Sequence, residues 1–230
     1  MLWIRYQVTC SVLAAVVSVW PSLAAAQSSD PLPGRLSLGA GVRWTNRSTI
    51  GAADATETTP AGGRFVLFRT NTSIARATGI DSTIGIRLTR SVDAEVTASF
   101  TKPDLHTQVS GDAEGAAGFT AIETMKEVAV EGSLVLHLTG MRLGARTIPY
   151  LSAGAGVLRD LHERETLAED GRLFHVGAGL HYLLKSSAAG GLNAFGIRLD
   201  GRAVARSGGA SFDDNLHLSP MLSASLFARF

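Results

Sequence analysis

The chain has 230 residues and a formal net charge of +1, from 21 Lys and Arg against 20 Asp and Glu. That balance excludes a broadly basic nucleic-acid surface, and a single cysteine excludes a disulfide framework. Hydrophobic residues make up 45% and glycines number 25, a mixture compatible with a membrane protein that has no spanning helix.

Arg5 precedes an apolar run from Val8 to Trp20, and Ala24-Ala25-Ala26 follow before Gln27. This is the pattern of a cleaved secretory signal peptide over residues 1–26; the run is shorter than the roughly 20 residues a spanning helix needs. Cys10 falls inside it, so the mature chain is expected to carry no cysteine. Residues 27–34 read as a short linker and 35–230 as one β-barrel domain, because the remainder breaks into segments of about ten residues with period-2 alternation.

The first segment, "RLSLGAGVRW", sets Leu36, Leu38, Ala40, Val42 and Trp44 on one face, and a long Thr/Ala/Gly-rich stretch follows. Within that stretch "GRFVLFR" (Gly63 to Arg69) could count as an extra strand and is assigned to the first outer loop. "TGIDSTIGIRLTR" aligns Ile80, Ile84, Ile86 and Leu88, turns near Arg90-Ser91, and leads into "VDAEVTASF" with Val92, Ala94, Val96, Ala98 and Phe100, a hairpin. A long polar connection precedes "KEVAVEGSLVLHL", where Val128, Val130, Leu134, Leu136 and Leu138 oppose Glu127, Glu131, Ser133 and His137.

After a short "TGM" comes "RLGARTIPYLSAGAGVLR", whose phase is less clear and whose Pro149 belongs near its start. Phe174, Val176, Ala178, Leu180, Tyr182 and Leu184 share a face in the next segment, and Phe195, Ile197 and Leu199 share one in "AFGIRLDGRAVAR". The last segment, "NLHLSPMLSASLFARF", alternates strictly from Leu216 to Phe230.

Eight strands bring both termini to one side and leave the longer connections on the other, outward side. Lipid gives backbone groups no hydrogen-bond partners, so the sheet must close. The apolar face then points at acyl chains, with Trp44, Phe100 and Phe174 at the outer membrane boundary and Tyr182, Phe195 and Phe230 at the inner one. A soluble sandwich or lipocalin-like barrel would turn the same face inward.

In order, "IGIRLTRSVDAEVTASF" (Ile84 to Phe100), "IPYLSAGAG" (Ile148 to Gly156), "GIRLDGRA" (Gly196 to Ala203) and the strand ending at Phe230 make the chain resemble the outer membrane protein beta-barrel domain family, the small eight-stranded OmpA-type barrels. The resemblance covers essentially the whole mature chain. It implies an all-β, antiparallel up-and-down transmembrane barrel in the outer membrane of a Gram-negative-type envelope. It also implies that the barrel-insertion machinery reads the C-terminal strand, Leu222 to Phe230. It implies little about activity, which such barrels carry in many forms.

An eight-stranded barrel has an interior just wide enough for side chains to fill, and the inward charges are Arg87, Asp93, Glu95, Glu127, Glu131, Arg198, Asp200 and Arg202. Arg87 stands opposite Asp93 or Glu95, and Arg198 and Arg202 flank Asp200, so a paired plug is expected rather than a gated ion path. His137, His175, His181 and His217 all fall on polar faces, in two pairs at opposite ends, and "HERET" is not a zinc helix, so no metal site is expected. "GAGV" from Gly39 and again from Gly154 to Val157 lack the third glycine and the helix of a nucleotide loop; small inward residues relieving crowding explain them.

His217-Leu218-Ser219 resembles the His-x-Ser pair of eight-stranded lipid A deacylases. No acid follows Ser219, however, and the pair faces the lumen. The outer loop "RDLHERETLAEDGR" (Arg159 to Arg172) mixes charges without a chemical constellation.

The sequence therefore predicts a non-catalytic, cofactor-free, monomeric barrel that contacts outer-membrane lipid and lipopolysaccharide and has no nucleic-acid partner. A small pore or an acyl hydrolase built on His217 and Ser219 are the alternatives.

Overall fold

The structure is a computed structural model that describes residues 32–141, 143–162, 167–186, 191–209 and 216–230. The expected signal segment, residues 1–26, lies outside the described residues.

Twelve strands follow one another among the described residues: β1 (Leu36–Thr45), β2 (Ser48–Thr58), β3 (Arg64–Ile74), β4 (Ala77–Arg87), β5 (Val92–Thr101), β6 (Asp104–Ser110), β7 (Phe119–Thr124), β8 (Lys126–His137), β9 (Thr147–Leu161), β10 (Ala168–Ser186), β11 (Ala194–Gly208) and β12 (His217–Arg229). Eight of them close a barrel in the order β1-β12-β11-β10-β9-β8-β5-β4, and β4 pairs back to β1 from Leu36↔Ile86 to Thr45↔Ala77. All pairs in it are antiparallel, so each backbone polar group finds its partner on a neighbouring strand and no edge faces lipid.

Alternation decides which face points where, because successive side chains on a strand leave opposite faces. Ile80, Val157, Val176, Leu218 and Leu222 are each more than 60% exposed, whereas Asp93, Glu131 and Arg229 are 1%, 1% and 2% exposed. A water-soluble barrel cannot hold that arrangement, since monomeric soluble proteins rarely expose contiguous apolar patches beyond a few hundred Å². From Phe174 to Leu184, at about 3.3 Å per residue and a tilt of roughly 40°, the apolar face of β10 stands about 25 Å tall, the height of an outer-membrane barrel's apolar band.

The remaining strands form a second sheet, β2-β3-β6-β7, from two of the long outer connections. It continues the β1-β4-β5-β8 wall upward: β3 pairs with both β2 and β6, so the hairpins β2–β3 and β6–β7 lock together above the barrel. "GRFVLFR" accordingly supplies most of β3 within the first outer loop. Ile50, Ile74, Leu105 and Met125 pack into one apolar cluster at the base of this sheet. Ser48, Ile74 and Pro103 border a small internal cavity together with Glu131, Leu173 and Met221 of the lumen. The base of the sheet thus lies over the outer mouth.

Two sequence expectations need correction. β9 starts at Thr147 rather than at Arg142, so its connection from His137 is longer than a tight "TGM" turn; Pro149 falls near its start as expected, third in the strand and opposite Leu180. Residues 27–34 were expected to be a plain linker, yet Leu32 is 1% exposed and packs with Ile148, Leu183, Ala194 and Phe227 at the inner end of the lumen. Gly34 makes this possible: its φ of 105° is open to glycine and strained for other residues, and it directs the chain under the barrel before β1 begins. The inner end of the lumen is consequently apolar rather than polar.

Candidate functional site: the barrel lumen

Every barrel strand sends alternate side chains inward, and these meet across the axis. Just above the apolar stopper, His181 packs between Tyr150 and Phe227, with ring centroids 4.7 Å away in each case, and lies 5.3 Å from His137. His137 Nε2 stands 2.9 Å from Asp93 Oδ2, and Arg229 Nη2 reaches the same carboxylate oxygen at 2.9 Å. Arg87, the register partner of Asp93, approaches it at 3.7 Å.

Arg198 holds the middle of the lumen. Its Nη1 donates to both Glu95 carboxylate oxygens at 2.8 and 2.7 Å, and its Nε donates to Asp200 Oδ2 and to the Tyr150 hydroxyl, both at 2.8 Å. The guanidinium also lies 4.8 Å from the Tyr150 ring centroid, a cation–π contact in a desolvated setting. Asp200 continues to Arg202 at 3.5 Å and Arg202 to Glu131 at 3.6 Å. Glu131 is approached by Arg43 at 3.2 Å and by His175 Nδ1 at 2.9 Å. Towards the outer end Arg206 bridges Glu127 at 2.8 Å and Asp160 at 3.3 Å.

The eight charges singled out in the sequence, Arg87, Asp93, Glu95, Glu127, Glu131, Arg198, Asp200 and Arg202, therefore all face the lumen, in three sets: Arg87 and Asp93 with His137 and Arg229; Glu95, Arg198, Asp200, Arg202 and Glu131 with Arg43 and His175; Glu127 with Arg206 and Asp160. Parity along each strand already put Arg43, His137 and His175 on the inward face. The hairpin register and strand neighbours already paired Arg87 with Asp93 and Asp200 with Arg198 and Arg202; depth along the axis, which pairs residues on non-adjacent strands, has no local signal.

Glycines on adjacent strands make room for the largest of these groups. Tyr150 pairs in register with Gly179, His175 with Gly154, Arg202 with Gly177 and Phe227 with Gly196. A Cβ at Gly179 would collide with the Tyr150 hydroxyl; at Gly154 it would lie 2.6 Å from His175 Cε1, and at Gly177 2.8 Å from Arg202 Cγ. In "AGAG" (Ala153 to Gly156), Gly154 and Gly156 are thus inward vacancies that neighbouring groups fill.

Trp44, Phe174, Tyr182 and Phe230 stand exposed on the outside, and Phe100 and Phe195 are half-buried there. His217 and Ser219 lie on the lumen face of β12, in register with Arg206 and Val204, and Ser219 borders the outer cavity. Among the described residues no three His, Cys, Asp or Glu side chains converge as a metal site.

A closed eight-stranded sheet with an apolar exterior and a charged, packed interior defines a transmembrane β-barrel of the outer-membrane class. Neisserial surface protein A shares the fold at 14% identity, with a TM-score of 0.51 over 85% of this chain and 97% of that one. Matches to the N-terminal barrel domain of Pseudomonas aeruginosa OprF (13% identity, TM-score 0.36, 85% and 99% coverage) and to outer membrane protein AlkL (15%, 0.39, 91% and 93%) are looser. No protein-family model and no curated protein sequence matches the chain.

Proposed function

We propose that the chain is a non-catalytic outer-membrane protein whose lumen is sealed and whose outward surfaces carry its interactions in the envelope. The observation that carries this reading is the continuity of the packed lumen. An apolar stopper around Leu32 and Phe227, three levels of ion pairs, and the sheet over the outer mouth leave, among the described residues, small voids of about 40 Å³ at the outer end and about 20 Å³ beside Glu95, His181 and Arg198, room for a few separate water molecules. The hydrolase alternative draws no support, because a nucleophile at Ser219 would face this sealed interior, away from lipid acyl groups.

The outward sheet offers the interaction surface. Asn71, Ser73, His106, Gln108, Thr49 and Thr120 share the face directed away from the Ile74–Leu105 cluster, with Arg47 beside them, and line a groove of about 330 Å³. The apolar exterior contacts outer-membrane lipid and lipopolysaccharide. The outward face of β12, down to Phe230, is the surface offered to the barrel-insertion machinery. The barrel needs no partner subunit to complete its sheet, which favours a monomer.

The test combines a heat-modifiable gel shift with planar-bilayer recording. A folded, shifted band without discrete conductance is expected. Stepwise conductance from the folded protein would replace the sealed reading with the pore.

A further inference from the structure

Outward positions of the barrel face hydrocarbon, yet two of them near the outer end carry arginine: Arg159 on β9 and Arg172 on β10. Register places them diagonally. Val128 pairs with Arg159 and Arg159 with Asp170, while one row nearer the membrane Val130 pairs with Val157 and Val157 with Arg172. Arg172 is only two residues from Phe174, about 7 Å along the strand, so it stands at the upper edge of the apolar band.

The two arginines are held differently. Arg159 is clamped by Asp170, Nε to Oδ1 at 2.7 Å and Nη2 to Oδ2 at 3.0 Å. Arg172 is exposed and makes no ion pair or side-chain hydrogen bond among the described residues. Between them lies an open groove of about 750 Å³, floored by Val128, Val130 and Val157 and edged by Ser207.

A guanidinium without a partner among the described residues, at the head-group level and above a valine floor continuous with the lipid-facing belt, matches an anionic lipid. Guanidinium recognises phosphate oxygens with paired, charge-assisted N–H bonds. The Asp170 carboxylate, its charge balanced by Arg159, and the Ser207 hydroxyl add acceptors suited to sugar hydroxyls, which a glycerophospholipid head group supplies more sparsely. We propose that this groove seats the phosphorylated saccharide head group of an outer-leaflet lipid. Its phosphate lies on Arg172, and its acyl chains run down past Val157, Phe174 and Val176. The inference rests on the outer-membrane reading above and assigns that lipid contact to a definite site.

The test uses the folded barrel in detergent, scored by native mass spectrometry. The probes are a bisphosphorylated glucosamine-disaccharide lipid, its dephosphorylated form, phosphatidylglycerol and inorganic phosphate. The bisphosphorylated lipid should bind in preference to the other three. Arg172→Gln should weaken its binding by about tenfold, the usual scale of one charged hydrogen bond, while Lys185→Gln at the inner end leaves it unchanged. Equal binding of the dephosphorylated lipid, equal competition by phosphatidylglycerol or by inorganic phosphate, or unaltered binding by Arg172→Gln would each overturn the proposal while the barrel stands. Absence of a heat-modifiable folded band would overturn the outer-membrane reading itself, which separates the two failures.

Discussion

Arg198→Met is the sharpest probe of the sealed lumen. Arg198, Glu95 and Asp200 have side chains 6%, 3% and 2% exposed, so their charges are compensated by one another rather than by water. Removing the guanidinium deletes both hydrogen bonds to Glu95 and the Nε bond to Asp200. Asp200 keeps Arg202 at 3.5 Å, which limits its loss; Glu95 loses the cation that both of its oxygens contact. Removing one partner of a buried pair costs about 3–5 kcal/mol, whereas replacing both by neutral groups of similar volume is near neutral. Against a total stability of about 5–15 kcal/mol, the single change is large.

The assay is urea unfolding of the barrel in lipid vesicles, followed by the fluorescence of Trp44, which sits on the exterior. Arg198→Met should lower stability by about 3–5 kcal/mol, and Arg198→Met combined with Glu95→Gln should restore most of it. A single-variant cost below about 1 kcal/mol, or a double variant costing the sum of the two singles, would mean that water screens the centre of the lumen. The sealed reading would then fail.

Two further outcomes test the packing and the outer sheet. Gly179→Val drives a side chain into the Tyr150 hydroxyl and the Leu199 carbonyl; it should cost about 1–3 kcal/mol or more in the same assay, while Gly132→Val, on the outward face with no atom closer than 4.0 Å, should cost less. His162 has Nδ1 3.0 Å from Glu123 of β7 and Nε2 3.3 Å from Glu169 of β10, and donating from both nitrogens requires the imidazolium. Burial alone would lower its pKa, but the Glu169 and Glu123 carboxylates outweigh that and hold it above the ordinary 6.5. The clamp is therefore complete below about pH 6.5 and is lost as pH climbs through the raised value. Amide exchange in β6 and β7, relative to a His162→Gln variant at each pH, should show protection that fades on the alkaline side; protection that fades toward acid would refute the assignment.

The eight barrel strands were legible because lipid on one side and a charged lumen on the other impose alternation along the whole length of each strand. β9 was the hard case: Ile148 and Tyr150 are apolar and inward while Leu151 is apolar and outward, so its inner end carries no clean period. The outer sheet had weaker signals still. Much of β2, β3 and β7 is exposed on both faces, so hydrophobic pattern does not set their phase. Their anchors Ile50, Ile74, Leu105 and Met125 meet only through tertiary folding. Leu32 carries no periodic cue at all, since a turn at Gly34 rather than a strand places it.

The site followed the same division. Parity alone assigned Arg87, Asp93, Glu95, Glu127, Glu131, Arg198, Asp200 and Arg202 to the inward face. Arg198 and Glu95, however, are 103 positions apart and Arg43 and Glu131 are 88 apart, so nothing local announces that they share a depth. A strand's own period gives the face and a hairpin the near neighbour, as for Arg87 and Asp93; closure of the sheet gives the partners across the lumen.

That separation suggests what the ion pairs accomplish beyond filling space. A slip of one residue in any strand would send its inward charges into hydrocarbon, where an Arg or Lys near the midplane costs about 2–4 kcal/mol. A slip of two keeps the faces but shifts each charge by about 7 Å along the strand, enough to part Arg198 from Glu95 and Arg206 from Glu127. Ion pairs at three depths, backed by Gly179 beneath Tyr150 and Gly154 beneath His175, thus penalise alternative registers that alternation by itself would tolerate. With the lumen sealed as proposed, interaction falls to the ends and the rim, where the polar groove of the outer sheet and the arginines above Phe174 are the chemically equipped surfaces.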